Sequence, residues 1–324
     1  MIKKAVTASA PGKLMLYGEH AVVYGHPCIV TAVNQRLSVR VKKNGVEMFH
    51  LDAPDLGLTA YSKTMDKLGG EGLPKGVRFI EVLYKNFLND HPQKRGIDVV
   101  TKSEFSSDFG FGSSSAVTVA FAKALTTLYG VDMNNKDLFD LCYRAVIEVQ
   151  GVGSGFDVAA AVYGGTIYYV SPGKVIEPII EGDLPLVVGY TGIKADTPTL
   201  VRQVAELRRK NPSRIDKNFG EISRVVKKAK EAIETSDYLK AGRLMSENQK
   251  LLAQLGISSA QLDNMNISAR TAGAFGAKLS GAGGGDCMVA FVSDEQRLAV
   301  EKAIGDVGGK VVPVSVGAEG VRVE

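Results

Sequence analysis

Three glycine-rich stretches hold the polar residues of this sequence best placed to do chemistry. The first, PGKLMLYGEHAVVYG over residues 11–25, sets a cation (Lys13), a carboxylate (Glu19) and an imidazole (His20) among glycines and apolar neighbours. A surface hairpin explains the glycines but not three different polar groups in such surroundings. The second is Gly110-Phe111-Gly112-Ser113-Ser114-Ser115-Ala116, at the mouth of an apolar-periodic segment. Small residues let backbone approach a ligand, and the free N–H groups of a helix's first turn, at its positive dipole end, form an anion site. Serine hydroxyls there add phosphate or Mg²⁺ contacts. Read alone, a GxGSS run serves equally as a serine N-cap with glycine turn chemistry. The third stretch, residues 280–286 (SGAGGGD), joins two strand candidates and lets backbone press against backbone or ligand.

Common nucleotide signatures do not fit these loops. A Walker A loop needs Gly-Lys followed by Ser or Thr, and the Gly-Lys pairs at 12, 173 and 309 are followed by Leu14, Val175 and Val311. A dinucleotide fingerprint fails because Ser115 and Asp286 stand where the third glycine belongs. The HRD and DFG signatures of protein kinases are absent.

The elements that must hold these loops are legible in the hydrophobic pattern. Period-two alternation marks strands through residue 51, with Lys43-Asn44-Gly45 as a hairpin turn into 46–51. A helix over 76–88 precedes a strand over 96–101. Val117, Phe121, Leu125 and Leu128 then recur at helical spacing, with Gly130 as the stop. Helices follow at 135–149 and 154–162, and strands at 166–170 and 186–190. Asp157 opens the second of those helices, where an acid also suits the dipole. Charged helical patterns, including 222–234 and 238–255, fill the chain from Pro198 to about Gly273. Strands return at 277–279 and 287–292, Ser293 to Gln296 spell a capping box for a helix through Ile304, and 310–316 reads as a last strand. The arrangement is α+β in two lobes, with a boundary near 180–200.

At 324 residues, 45% hydrophobic and 23% charged, the chain can bury a sizeable core. Its 39 Lys+Arg and 35 Asp+Glu are evenly mixed, without the basic stripe that nucleic acid requires. Three widely spaced cysteines give neither a disulfide framework nor a zinc site, and fit a reducing compartment. The first residues lack the apolar core of a signal peptide and no apolar run is long enough to span a membrane. A cytoplasmic location is the expectation.

In their order and spacing, PGKLMLYGEHAVVYG, GFGSSSA and KLSGAGGGDCM resemble the three motifs of the GHMP kinases, and the GEHAVVYG form is similar to the mevalonate kinases among them. VVGYTGIKADTPTLV and the pair Asn248-Gln249 resemble further family patterns, so the similarity spans essentially the whole chain. It implies an α+β, two-lobe GHMP kinase fold with the active site in the cleft between lobes 1–185 and 186–324. The implied reaction is ATP-dependent phosphorylation of a small acid's hydroxyl, with mevalonate ahead of phosphomevalonate. A non-catalytic ligand sensor on the same scaffold is the remaining alternative. By the same resemblance Gly110, Gly112, Ser113, Ser114, Ser115 and Gly283 line the nucleotide, and Ser114 contacts Mg²⁺. Asp157 is the catalytic aspartate and Lys13 the lysine near the attacking oxygen. Glu19, His20 and Thr197 face the acceptor. Partners are then a small-molecule substrate, neither nucleic acid nor membrane, with a homodimer among the assemblies allowed.

The chain departs from the family pattern in three places. The GSGFD turn is similar to that of phosphomevalonate kinases. Val146 stands where mevalonate kinases carry a Mg²⁺-binding glutamate, and Glu148 faces about 200° away on a helix. Asp108 and Asp286 replace small residues near the phosphate region.

Overall fold

Two antiparallel-dominated sheets and their helices make up the computed structural model, which describes residues 4–324 except Glu71, Lys75 and Glu181. Residues 1–3, part of the leader argument above, lie outside the described residues. The strands are β1 Ala5–Tyr17, β2 Pro27–Lys43, β3 Met48–Ala53, β4 Leu58–Thr64, β5 Ile97–Ser103, β6 Thr166–Val170, β7 Val175–Ile180, β8 Leu186–Tyr190, β9 Gly276–Ser280, β10 Cys287–Phe291, β11 Lys310–Val311 and β12 Arg322–Val323. The helices are α1 Arg78–Asp90, α2 Ser113–Tyr129, α3 Asn135–Gln150, α4 Phe156–Tyr163, α5 Thr197–Lys210, α6 Pro212–Glu234, α7 Tyr238–Ala253, α8 Ala260–Thr271 and α9 Asp294–Asp306. None of the described helices is long and apolar enough to cross a membrane.

The larger sheet runs β12-β1-β2-β5-β3-β4, and β2 is long enough for one edge to carry β5 along 37–43 and β6 along 27–31. Every residue of β1 from Ala8 onward is buried, because the sheet is covered by α2 and α4 and because β1 also meets β9. Lys13 therefore leaves the middle of a buried strand, a placement that propensity alone does not favour. The smaller sheet, β11-β8-β10-β9, is antiparallel throughout and is backed by α7, α8 and α9. Ser280 ties the two sheets: its hydroxyl accepts the Met15 N–H and donates to the Met15 carbonyl, both at 3.0 Å.

Most expected elements occur within two or three residues of their anticipated ends, and 197–271 is helical apart from short turns. Three details differ. Residues 43–45 turn the chain, but β5 slots between β2 and β3, antiparallel to one and parallel to the other, so no hairpin forms. The hydrophobic alternation of β2 and β3 specifies strands but not which neighbour each takes. Ser293 caps no N–H with its side chain, its hydroxyl going to Glu295 instead, although α9 begins where expected. The last strand shrinks to β11, Val316 forms only an isolated bridge with Val33, and the tail crosses to the larger sheet as β12 beside β1.

The smaller sheet approaches α7 through two glycines. A Cβ on Gly276 would lie 1.6 Å from the Gly242 carbonyl oxygen, and one on Gly242 2.5 Å from Phe275 Cβ. Gly276→Ala therefore overpacks backbone against backbone. It is expected to lower stability by about 1–3 kcal/mol or more, read as a lower urea midpoint at unchanged slope.

Candidate active site

Gly112 is the point about which the catalytic candidates gather. A Cβ placed there would meet Lys13 Cε at 3.1 Å and Asp157 Cβ at 3.7 Å, and its φ of +73° suits glycine as the N-cap of α2. The Lys13 ammonium donates to the Gly110 carbonyl at 2.6 Å and lies 5.6 Å from the centre of the Phe156 ring. Its backbone N–H donates to Phe111 O at 2.9 Å, which seats the glycine loop against β1. Ser113 and Ser114 are half-buried in the first turn of α2, whereas Ser115 is buried. With Gly112 lacking a side-chain cap, the free N–H groups of that turn face the space the small residues leave.

Asp157 sits in the first turn of α4, behind Gly155. Its Oδ2 accepts the Ser115 hydroxyl at 2.7 Å and its Oδ1 the Val158 N–H at 3.1 Å. The carboxylate is thus clamped between two helix starts. Ser115 turns inward to hold it, while its neighbours Ser113 and Ser114 stay at the loop surface.

Glu19 and His20 end the first stretch. His20 adopts φ +59°, unusual for a side chain with a Cβ, and its Nε2 lies 2.9 Å from the Ala282 carbonyl. Burial pushes its imidazole pKa down, with the Ala282 contact opposing. Glu19 pairs with Lys278, both side chains fully buried, and the same ammonium also donates to the Leu279 carbonyl. Burial pushes the Glu19 carboxyl up and the Lys278 ammonium down, each partly offset by the other. Glu19 Oε2 is buried without a hydrogen-bond partner. Just before it, Gly18 donates its N–H to Asn248 Oδ1 at 3.1 Å, and Gln249 Oε1 accepts the Leu279 N–H at 3.0 Å. Adjacent residues of α7 thus bind the first stretch and the strand that leads into the third.

The third loop folds against what surrounds it. Gly284 donates to Ile257 O at 2.7 Å, and a Cβ on Gly283 would lie 2.2 Å from that same oxygen. Gly283 is thereby packed on the loop between α7 and α8, and its closest neighbours belong to that loop. Asp286 is buried at φ +55°; burial raises its carboxyl pKa, while the Ala195 N–H and Lys13 oppose the rise. Thr197 is exposed at the start of α5, and among the described residues no hydrogen bond joins it to Glu19 or His20.

Val146 is 2% exposed in the core of α3, and Glu148 is turned outward, accepting from Asn86 Nδ2 at 2.9 Å. Among the described residues no group of three His, Cys, Asp or Glu could hold a metal ion. The three cysteines are free and buried, and burial pushes each thiol up, away from nucleophilic use.

Sequence reasoning passed over Lys278 and Ser280 as plain members of KLSGAGGGDCM. The signal was present: a lysine in the middle of a short strand otherwise made of small and apolar residues needs a buried counter-ion. Lys278→Met is expected to cost about 3–5 kcal/mol by stranding the Glu19 carboxylate. Adding Glu19→Gln should recover much of that loss, and a double-mutant cycle in urea checks the coupling.

The GHMP kinases N terminal domain model matches residues 77–165, and the GHMP kinases C terminal model matches 229–309. A mevalonate kinase of Pyrococcus horikoshii is 37% identical over 99% of this chain and 98% of its own, and one of Thermococcus gammatolerans is 37% identical over 98% of each. The crystal structure of L. major mevalonate kinase in complex with R-mevalonate superposes with a TM-score of 0.79 at 27% identity, covering 98% of both chains. The chain belongs to the GHMP kinases, a family of ATP-dependent small-molecule kinases.

Proposed function

We propose that this chain transfers the γ-phosphoryl group of ATP to the hydroxyl of mevalonate, giving 5-phosphomevalonate. The observation that carries the reading is the convergence of Lys13, Asp157 and the open start of α2 on Gly112. Phosphoryl transfer asks for a phosphate cradle, charge neutralisation and a group that orients or deprotonates the acceptor. Here the α2 amides with Ser113 and Ser114 form the cradle, bordered by Gly110 and Gly112. Lys13 offsets charge on the phosphoryl group in flight. Asp157, held in one orientation by Ser115 and Val158, takes the hydroxyl proton as the oxygen attacks the γ-phosphorus and ADP departs.

Glu19 and His20 face the acceptor in this reading, with Thr197 reaching it from the start of α5. Full-length relatives that are mevalonate kinases favour mevalonate over the phosphorylated acceptor. The acceptor and nucleotide meet between lobes 1–185 and 186–324, except that β12 of the second lobe joins the first lobe's sheet.

Mg²⁺ is best described as part of the substrate. The described residues offer no carboxylate cluster, Val146 supplies no ligand, and Glu148 belongs to α1 contacts. The cation then arrives as MgATP, where it screens the phosphates, and Ser114 is the hydroxyl proposed to touch it.

A coupled ADP-release assay tests the reading. Mevalonate should be turned over faster than phosphomevalonate, homoserine or galactose, and preference for phosphomevalonate would reassign the acceptor. Asp157→Asn should lower kcat by about 10²–10⁴-fold with ATP affinity retained in calorimetry. Near-normal turnover would remove Asp157 from the reaction. For the metal, Glu148→Gln should leave the rate unchanged, and Mg²⁺ beyond ATP saturation should scarcely alter it. A large loss that high Mg²⁺ restores would make Glu148 a ligand after all.

A further inference from the structure

The segment between β8 and α5 is fastened to the glycine loops on two sides. On its inner side, Asp286 donates its N–H to Ile193 O at 2.7 Å and accepts the Thr191 N–H on its carbonyl at 2.9 Å. Its Oδ1 accepts the Ala195 N–H at 2.8 Å. On its outer side, Lys194 Nζ lies 3.1 Å from Asp108 Oδ1 and 3.3 Å from Ser107 Oγ, on the stretch leading into Gly110. The inner attachment is buried. The outer one is wet, with the Lys194 and Asp108 side chains 46% and 53% exposed.

Those charges cannot stay as they are once a nucleotide's phosphates arrive. Asp108 and Asp286 place two carboxylates beside a loop otherwise suited to an anion, and a Cβ on Gly110 would lie 2.5 Å from Asp286 Oδ2. Against them stand Lys13, already bonded to Gly110 O, and Lys194. An exposed ion pair shifts an equilibrium by no more than about fivefold, so Lys194 leaves Asp108 at small cost. A triphosphate presents several negative charges where Asp108 offers one. A lysine ammonium is a point charge on a flexible stem with three donors, able to change partner by rotamer alone. The Asp286 bonds meanwhile hold the backbone on either side of Lys194 in place.

We propose that Lys194 is a phosphate-contacting residue of this kinase, with Asp108 as its resting counter-ion, released when nucleotide binds. The inference rests on the reading of residues 110–115 as the phosphate site, and adds to it a cation from outside the glycine loops. The two partners then have opposite effects on nucleotide affinity. Lys194 adds a favourable contact, whereas Asp108 both competes for the ammonium and repels the phosphates. A pair that merely braced the loop would give effects of the same sign.

Isothermal calorimetry with ATP, ADP and AMP at fixed salt, on the wild type, Lys194→Met, Asp108→Asn and Ser114→Leu, tests this. Lys194→Met should weaken ATP about tenfold or more, ADP less, and AMP hardly at all. Asp108→Asn should tighten ATP about two- to fivefold. Both side chains are exposed, so thermal unfolding should confirm that the variants remain folded. Unchanged ATP affinity in Lys194→Met overturns the proposal, as does weakening in both variants or an equal loss for AMP. Ser114→Leu separates the layers: if a folded Ser114→Leu protein still binds ATP, the phosphate site itself is misplaced. If it does not bind while Lys194→Met binds normally, only the role of Lys194 falls.

Discussion

Two opposite charges without solvent exposure, Glu19 and Lys278, tie the first motif to the third where the two sheets meet. Removing a carboxylate and an ammonium from water costs several kcal/mol per ion, and their attraction repays it only at close range with the remaining polar atoms satisfied. The carboxylate sits at the end of the first motif and the ammonium in the third, 259 positions apart in sequence. Glu19 Oε2 has no hydrogen-bond partner, so the close contact itself must offset the cost, and that contact requires β1 and β9 to be fixed against each other. Ser280 does this by bonding both polar atoms of Met15, Asn248 by receiving Gly18, and Gly242 and Gly276 by letting α7 close onto β9. Together they join the two sheets around Glu19 and His20, the side proposed to receive the acceptor.

The side proposed to hold the phosphates is built by the opposite rule. Its parts are glycines at positive φ, hydroxyls left half-exposed and helix N–H groups without a side-chain cap. Of its three serines only Ser115 is buried, and it is committed to Asp157. The contrast has a physical basis. In the proposed reading a small acceptor must be held in one pose, which favours desolvated side chains, whereas a triphosphate is charged, hydrated and must leave as ADP each turnover. Asp157, the residue proposed to take the acceptor's proton, has its hydrogen-bond partners Ser115 and Val158 on α2 and α4.

Much of this was legible in the residues, and what was not has a common cause. Helices α2 and α3 and strands β6 and β8 announced themselves because each is a local pattern with its own stop, as Gly130 is for α2. The insertion of β5 between β2 and β3 did not, because strand pairing is decided by partners far away in the chain. The return of the tail as β12 was hidden for the same reason, and because two residues are too few for a period. Within the site, Lys13, Glu19, His20, Ser114 and Asp157 were picked out by resemblance and by polar residues among apolar ones. Lys278 carried the second signal too, but its meaning depends on Glu19, which no local window contains. Thr197 is the weakest of the expected residues: it is exposed at the start of a helix whose one fully buried side chain is Val204.

The departures from the family pattern follow one logic when their surroundings are considered. Val146 removes a carboxylate from the α3 side, where the core simply packs over the gap, and Asp286 and Asp108 add carboxylates on the other side of the glycine loop. Asp286 is not a free charge: it spends its Oδ1 and both backbone polar groups on the 191–195 segment, work that a glycine could do only in part. Its side chain thereby fastens the 191–195 segment to the third glycine loop, at the expense of burying a carboxylate beside Gly110. That charge is acceptable because Lys13 and Lys194 lie close enough to oppose it. Asp286 thus fastens the segment that carries Lys194, and Lys194 in turn opposes its charge.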